Sequence, residues 1–252
     1  MRLLIAGFLA MLSLTAAPLA AQQRSDSGAE TSISELPQWL IDFSNIPKET
    51  QQRYIEVFRE AKIAYASGNW VLCCTYLNEC EFIFKGNPHV WNLRATCLIE
   101  QANFHEAELM LKKVQQELPM DETTIMNRAN LHMARGEFAE CIELLRAIID
   151  AQDATAAPDL TDVLTFRIYL CHLMLGQQKE AAELVRHLGP LDDTPLYYFS
   201  QAALHISKGN RTRAVEDINA ASAIFSKGNA IQPYIRSIQA SGLENKFLPS
   251  GS

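Results

Sequence analysis

The chain lacks the local signatures of catalysis. It has no His-Glu-x-x-His, no Cys-x-x-Cys, no glycine-rich phosphate loop, and no nucleophile set beside a base. Those absences remove the reaction classes that announce themselves by short motifs. An active site assembled only in space is left open. Asp192-Asp193, after Gly189-Pro190, reads as a solvated turn. Basic residues are also in deficit: 22 Lys and Arg face 29 Asp and Glu, for a net charge of −7, and no Lys/Arg run is long enough to override this. Residues 1–21 carry only the +1 of Arg2, so the rest of the chain stands at −8. That balance favours solubility and disfavours nucleic acid or anionic lipid as the main partner.

What the chain does have is a period. Short breaks fall at Gly68, Ala102, Gly136, Gly176 and Gly209, separated by 34, 34, 40 and 33 residues. A small residue follows each break at a fixed offset: Cys73, Ala107, Cys141, Ala181, Ala214. Four further on stands a larger apolar one: Leu77, Leu111, Leu145, Val185, Ile218. Before the break, a bulky residue such as Trp91 or Ile125 leads a small one, Ala95 or Ala129. Small residues let two helices approach, and large ones fill the layer between repeats. Helices this short need neighbours, and here the neighbour is the same unit again.

The clearest unit reads Trp91-x2-Arg94-Ala95-x2-Leu98, then Ala107-x3-Leu111, then Pro119. It resembles the tetratricopeptide repeat, whose pattern is W-x2-L-G-x2-Y, A-x3-F and P over about 34 residues. The resemblance covers roughly residues 51 to 225 in five units. It is weaker in the first, which lacks the early aromatic. It is weakest in the fourth, where Gln178 replaces the second-helix aromatic and Tyr169 takes a small position. The resemblance implies an all-α fold: a right-handed α-solenoid of about five helix-turn-helix repeats with N- and C-terminal capping segments. With 48% apolar residues, stacking through nearest neighbours is well supplied.

Ahead of the repeats, residues 1–21 combine one positive charge, an apolar stretch from Leu3 to Leu14 and small residues around Pro18. This is the pattern of a Sec signal peptide cleaved near Ala20 or Ala21; an uncleaved anchor helix is the alternative. With no cysteine at the cleavage region and no twin arginine, the expected address is the periplasm of a double-membraned bacterium, or secretion, with no stable membrane insertion after cleavage. Residues 22–33 read as a flexible leader. Residues 34–47 form an apolar segment, with Leu36, Trp39, Leu40, Ile41, Phe43 and Ile46, that would cap the first repeat or fill a groove in its own or a second copy. The repeat domain then spans 48–227. An insertion at Asp150–Asp159 separates units three and four. Residues 228–252 hold a capping helix, stopped at Gly242, and a frayed tail from Glu244.

In the tetratricopeptide family the first helices line an inner groove that binds peptides or helices. By register, that role falls here to Phe58, Lys62, Tyr65, Asn92, Thr96, Ile99, Met126, Asn130, Met133, Phe166, Leu170, Leu173, Phe199, Ala203 and Ile206, with Arg167 beside the late half. The early half mixes polar and apolar groups and the late half is nearly all apolar. The family's clamp for a C-terminal carboxylate is missing, because Leu93 and Thr123 stand at positions that need polar or basic residues.

His132, His172 and His205 share one register, where the family often has Tyr. Equivalent positions on successive repeats lie about 10 Å apart, so three cannot converge on one ion that needs ligands at about 2 Å. Inter-helix packing and hydrogen bonding accounts for them. Cys73 with Cys97, and Cys141 with Cys171, form two matching pairs spaced 24 and 30 residues apart. They could bridge, or serve as small buried apolar residues. Together these features suggest a non-enzymatic interaction module of the cell envelope with a protein or peptide partner, and with no metal and no cofactor. The alternative is a self-associating structural component, a homo-oligomer whose groove its own N-terminal segment fills.

Overall fold

The computed structural model describes residues 36–119, 121–152, 158–192, 194–225 and 230–247. The stretches expected to be a signal peptide and a flexible leader, residues 34–35, the centre of the 150–159 insertion and residues 248–252 lie outside the described residues. Thirteen helices and no strand occur among the described residues. The chain divides into two units, residues 1–101 with 109–123, and residues 102–108 with 124–252.

Each break between paired helices is a left-handed residue: Gly68 at φ 75°, Ala102 at 57°, Gly136 at 77°, Gly176 at 76° and Gly209 at 74°. At Gly68 the backbone closes with Asn69 N–H donating to Ala64 O and Gly68 N–H to Tyr65 O. The same pair of bonds recurs at Gly136 and Gly176. This arrangement satisfies the orphan carbonyls of the first helix and turns the chain at once into the second. Side-chain caps then start several helices. Asn69, Asn87, Thr194 and Asn210 accept from Leu72, His89, Leu196 and Arg213 amides. Pro88 and Pro195 take first-turn positions, where a missing N–H is harmless.

Unit 1 contains α1 (Gln38–Asn45), α2 (Lys48–Ala66), α3 (Trp70–Ile83), α4 (Pro88–Glu100) and most of α5 (Phe104–Glu117). Its core gathers Tyr54, Phe58, Ala61, Cys73, Leu77, Cys80, Val90, Leu93 and Cys97 under Trp39, Leu40 and Phe43 of α1. The Phe43 ring lies 5.0 Å from Tyr54 and 5.2 Å from Phe84. The Tyr54 hydroxyl accepts from buried Asn87 Nδ2 at 2.8 Å.

Unit 2 contains the first turn of α5, then α6 (Glu122–Arg135), α7 (Phe138–Ala151), α8 (Pro158–Met174), α9 (Gln178–Val185), α10 (Pro195–Ser207), α11 (Arg211–Ile224), α12 (Gln232–Ser241) and α13 (Leu243–Phe247). One core forms around Leu145, Leu164, Ile168 and Cys171, and a second around Phe166, Leu170, Phe199 and Ile206. Tyr169, the oversized residue at a small position, is accommodated by donating its buried hydroxyl to Ser200 O at 3.1 Å.

Gly242, at φ 68°, ends α12. Residues 243–247 form α13, and the rest of the tail expected to fray lies outside the described residues. Leu243 is fully buried, and Lys246 Nζ donates to Met174 O at 2.7 Å.

Candidate functional site

The residues assigned by register to the first-helix face divide by unit. In unit 2, Phe166, Leu170, Leu173, Phe199, Ala203 and Ile206 are at most 2% exposed, and Met133 is also buried. This corrects the expectation of an open apolar groove there. Its cover is α12, which packs on α8 and α10. The Tyr234 ring stacks on Phe199 at 5.0 Å and tilts against Phe166 at 5.2 Å. Ile238, one helical turn on, joins the same cluster. Gln232, Arg236, Gln239 and Ala240 remain exposed. An amphipathic helix thus lies across two first helices of its own unit. In unit 2 the face is closed by α12 of the same unit.

Arg167 ties this arrangement together. Its Nη1 donates to Asn130 Oδ1 at 2.6 Å and touches Met126 Sδ at 3.3 Å, and its Nε donates to Ser237 Oγ on α12 at 3.2 Å. Ser237 in turn donates to Pro233 O. Three of the residues expected to meet a partner, Arg167, Asn130 and Met126, therefore meet one another. Sequence reasoning missed α12 as their cover. The available signal was Tyr234 and Ile238, four residues apart with Ile235 between them, opposite Gln232, Arg236 and Gln239.

In unit 1, Phe58 and Asn92 are buried, so neither is offered as surface. Lys62, Tyr65, Thr96 and Ile99 are half-buried. The Lys62 ammonium stands 5.3 Å from the centre of the Phe58 ring, and burial holds its pKa below the usual lysine range. His89 at the start of α4 meets the Trp39 ring edge-on at 5.5 Å. Burial pulls its imidazole below the ordinary range, opposed by Asp121 and reinforced by Lys62. Another edge of the unit carries Glu81, which accepts from Trp91 Nε1 at 3.2 Å and from Arg94 at 2.7 Å. Lys113 lies over the Trp91 ring at 3.5 Å. On the outer side of α3, Val71 and Phe82 are 76% and 88% exposed.

The aligned histidines serve the turns. His132 Nδ1 pairs with Glu137 Oε2 and His172 Nδ1 with Gln177 Oε1, both at 2.7 Å and both five residues on. His205 instead faces Asp217 at 3.7 Å. Among the described residues no group of three or more His, Cys, Asp or Glu is arranged to hold a metal. No helix there is long and apolar enough to cross a membrane.

A family model described as Iml2/Tetratricopeptide repeat protein 39 matches residues 60–242, well over half of the chain. No curated protein matches it. Repeats of this kind are generally scaffolds for protein–protein contact rather than catalytic folds.

Proposed function

The chain belongs to the Iml2/Tetratricopeptide repeat protein 39 family, and from that membership we propose that it is a non-enzymatic interaction module whose first-helix face receives an amphipathic helix or a peptide with apolar anchors. The observation that carries this reading is α12. Its placement on α8 and α10, with Tyr234 and Ile238 down and Arg236 and Gln239 out, is helix-in-groove recognition within one chain. In unit 2 that position is taken. In unit 1 the matching face is half-exposed at Lys62, Tyr65, Thr96 and Ile99, and this is where the foreign segment docks. Tyr65 and Ile99 offer apolar contact, and Lys62 favours a carboxylate on the partner. Self-association through residues 36–46 is less well supported, because Trp39, Leu40 and Phe43 are already buried in their own unit. The N-terminal stretch 1–21 supports export, and the proposed site of action is the periplasm.

Photo-crosslinking in cells tests the docking face. A crosslinking amino acid replaces Ile99 in one full-length variant and the outward Phe82 in another. The reading expects one adduct from position 99, none from position 82, and loss of the adduct when Lys62→Glu is added. No adduct at 99, or identical adducts from both positions, overturns it. Fractionation of the tagged chain decides the export.

A further inference from the structure

Four of the six cysteines meet as two repeat-equivalent pairs. Cys73 on α3 and Cys97 on α4 are fully buried, and their sulfurs lie 3.2 Å apart. Cys141 on α7 and Cys171 on α8 are fully buried in one core cluster. In both pairs the second helix of one repeat meets the first helix of the next. A disulfide needs an S–S bond of about 2.05 Å between Cα atoms about 4.4–6.8 Å apart. Sulfurs already at 3.2 Å require a small side-chain adjustment rather than a movement of helices. We propose that Cys73–Cys97 and Cys141–Cys171 are two disulfide sites, each stapling consecutive repeats.

The oxidant is a disulfide, R–S–S–R, either of low molecular mass or carried by a protein. The Cys73 or Cys141 thiolate attacks one of its sulfurs and releases R–S⁻. The partner thiol, Cys97 or Cys171, then attacks the Cys73 or Cys141 sulfur of the mixed disulfide and releases the second R–S⁻. The two R–S⁻ take up the two thiol protons, so two cysteines are oxidised and one R–S–S–R is reduced to two R–SH. At the first pair Cys97 Sγ donates to Cys73 Sγ, which holds the Cys73 thiol below its usual range, with Arg94 assisting. Cys74 is half-buried and adjacent to Cys73 in sequence, which makes it the competitor to exclude.

The test uses the full chain, reduced and then exposed to oxidised glutathione. Remaining thiols are alkylated under denaturant, and linked peptides are mapped without reductant. The proposal expects two linkages, Cys73 to Cys97 and Cys141 to Cys171, with Cys74 and Cys80 alkylated. Cys74→Ser should keep both linkages and Cys73→Ser should lose the first. The bridged chain should melt roughly 10 °C or more above the reduced one. Six alkylated thiols, a Cys74–Cys97 linkage, or a linkage at only one pair overturns the proposal. Because the Cys74→Ser variant is read by a linkage it retains, a folding failure in Cys73→Ser cannot imitate success.

Discussion

In unit 1 the first helix of the described residues, α1, lays Trp39 and Phe43 on Tyr54, Phe84 and His89. In unit 2 a helix near the end of the repeats, α12, lays Tyr234 and Ile238 on Phe166 and Phe199. Both supply aromatic anchors to a repeat face, yet the polar accounts differ. At α12, Arg167 links Ser237 to Asn130 across the contact. At α1, the Trp39 indole N–H is buried without a hydrogen-bond partner, a loss of about 1–3 kcal/mol. A polar tie there sits at the helix end, where Gln51 Nε2 donates to Ser44 and Ile46 carbonyls. Phe166 is sealed because the Tyr234 ring of α12 lies against it, whereas Lys62 and Ile99 stay half-exposed.

The largest expected effect breaks the comparison on the sealed side. Phe166 is fully buried between Tyr169, Phe199 and Tyr234, so Phe166→Ala should destabilise unit 2 by about 3–5 kcal/mol. Helical repeats transmit stability mainly to their neighbours. Hydrogen exchange should therefore accelerate in α8, α10 and α12 and stay unchanged in α2 and α3. Equal acceleration in α2 and α3 would show that the two units do not hold their cores separately.

The fold was legible because its punctuation is chemical. A tight helix-turn-helix break needs a left-handed residue, and four of five breaks spend a glycine on it. The small position after each break was legible for the same reason, since Cys73, Ala107, Cys141, Ala181 and Ala214 all sit at close helix contacts and are at most 3% exposed. The face was legible as a register but not as a surface. Phe166 and Phe199 read alike whether a partner or the chain itself covers them, because burial depends on where a segment 70 residues away returns. Arg167 carried no local signal for the same reason. The histidine register, by contrast, has its partners five residues on in Glu137 and Gln177, close enough to be read from the chain.

Acid should sharpen the comparison on the open side, with a smaller effect. Burial holds the His89 imidazole below its ordinary value, with Asp121 opposing and Lys62 assisting. The unfolded chain therefore binds a proton at higher pH than the folded one. Stability is full above the unfolded value, near 6.5, and is lost as pH falls through it toward the folded value. Melting followed from pH 7 to pH 5 should show unit 1 losing protection ahead of unit 2, seen as faster exchange in α1 and the first turns of α4. His89→Gln should remove that unit-specific slope. A variant that keeps the slope would assign it to other groups.

The smallest effect concerns the break at which the second unit begins. Ala102 holds φ 57°, and among the described residues it is the only left-handed position that is not glycine. Left-handed backbone costs an alanine about 1–2 kcal/mol, while glycine gives back about 0.4–1 kcal/mol through the freer unfolded chain. The first effect is the larger, so Ala102→Gly should stabilise by about 0.5 kcal/mol. Gly136→Ala, at the next break and φ 77°, should run the same exchange backwards. The Cβ it adds would meet Phe138 at an ordinary 3.8 Å, so strain rather than collision sets its loss. Urea unfolding of the two variants beside the native chain should displace the midpoint in opposite directions. If Ala102→Gly destabilises, the alanine methyl is contributing packing at that turn that outweighs the strain, and the five breaks are not physically equivalent.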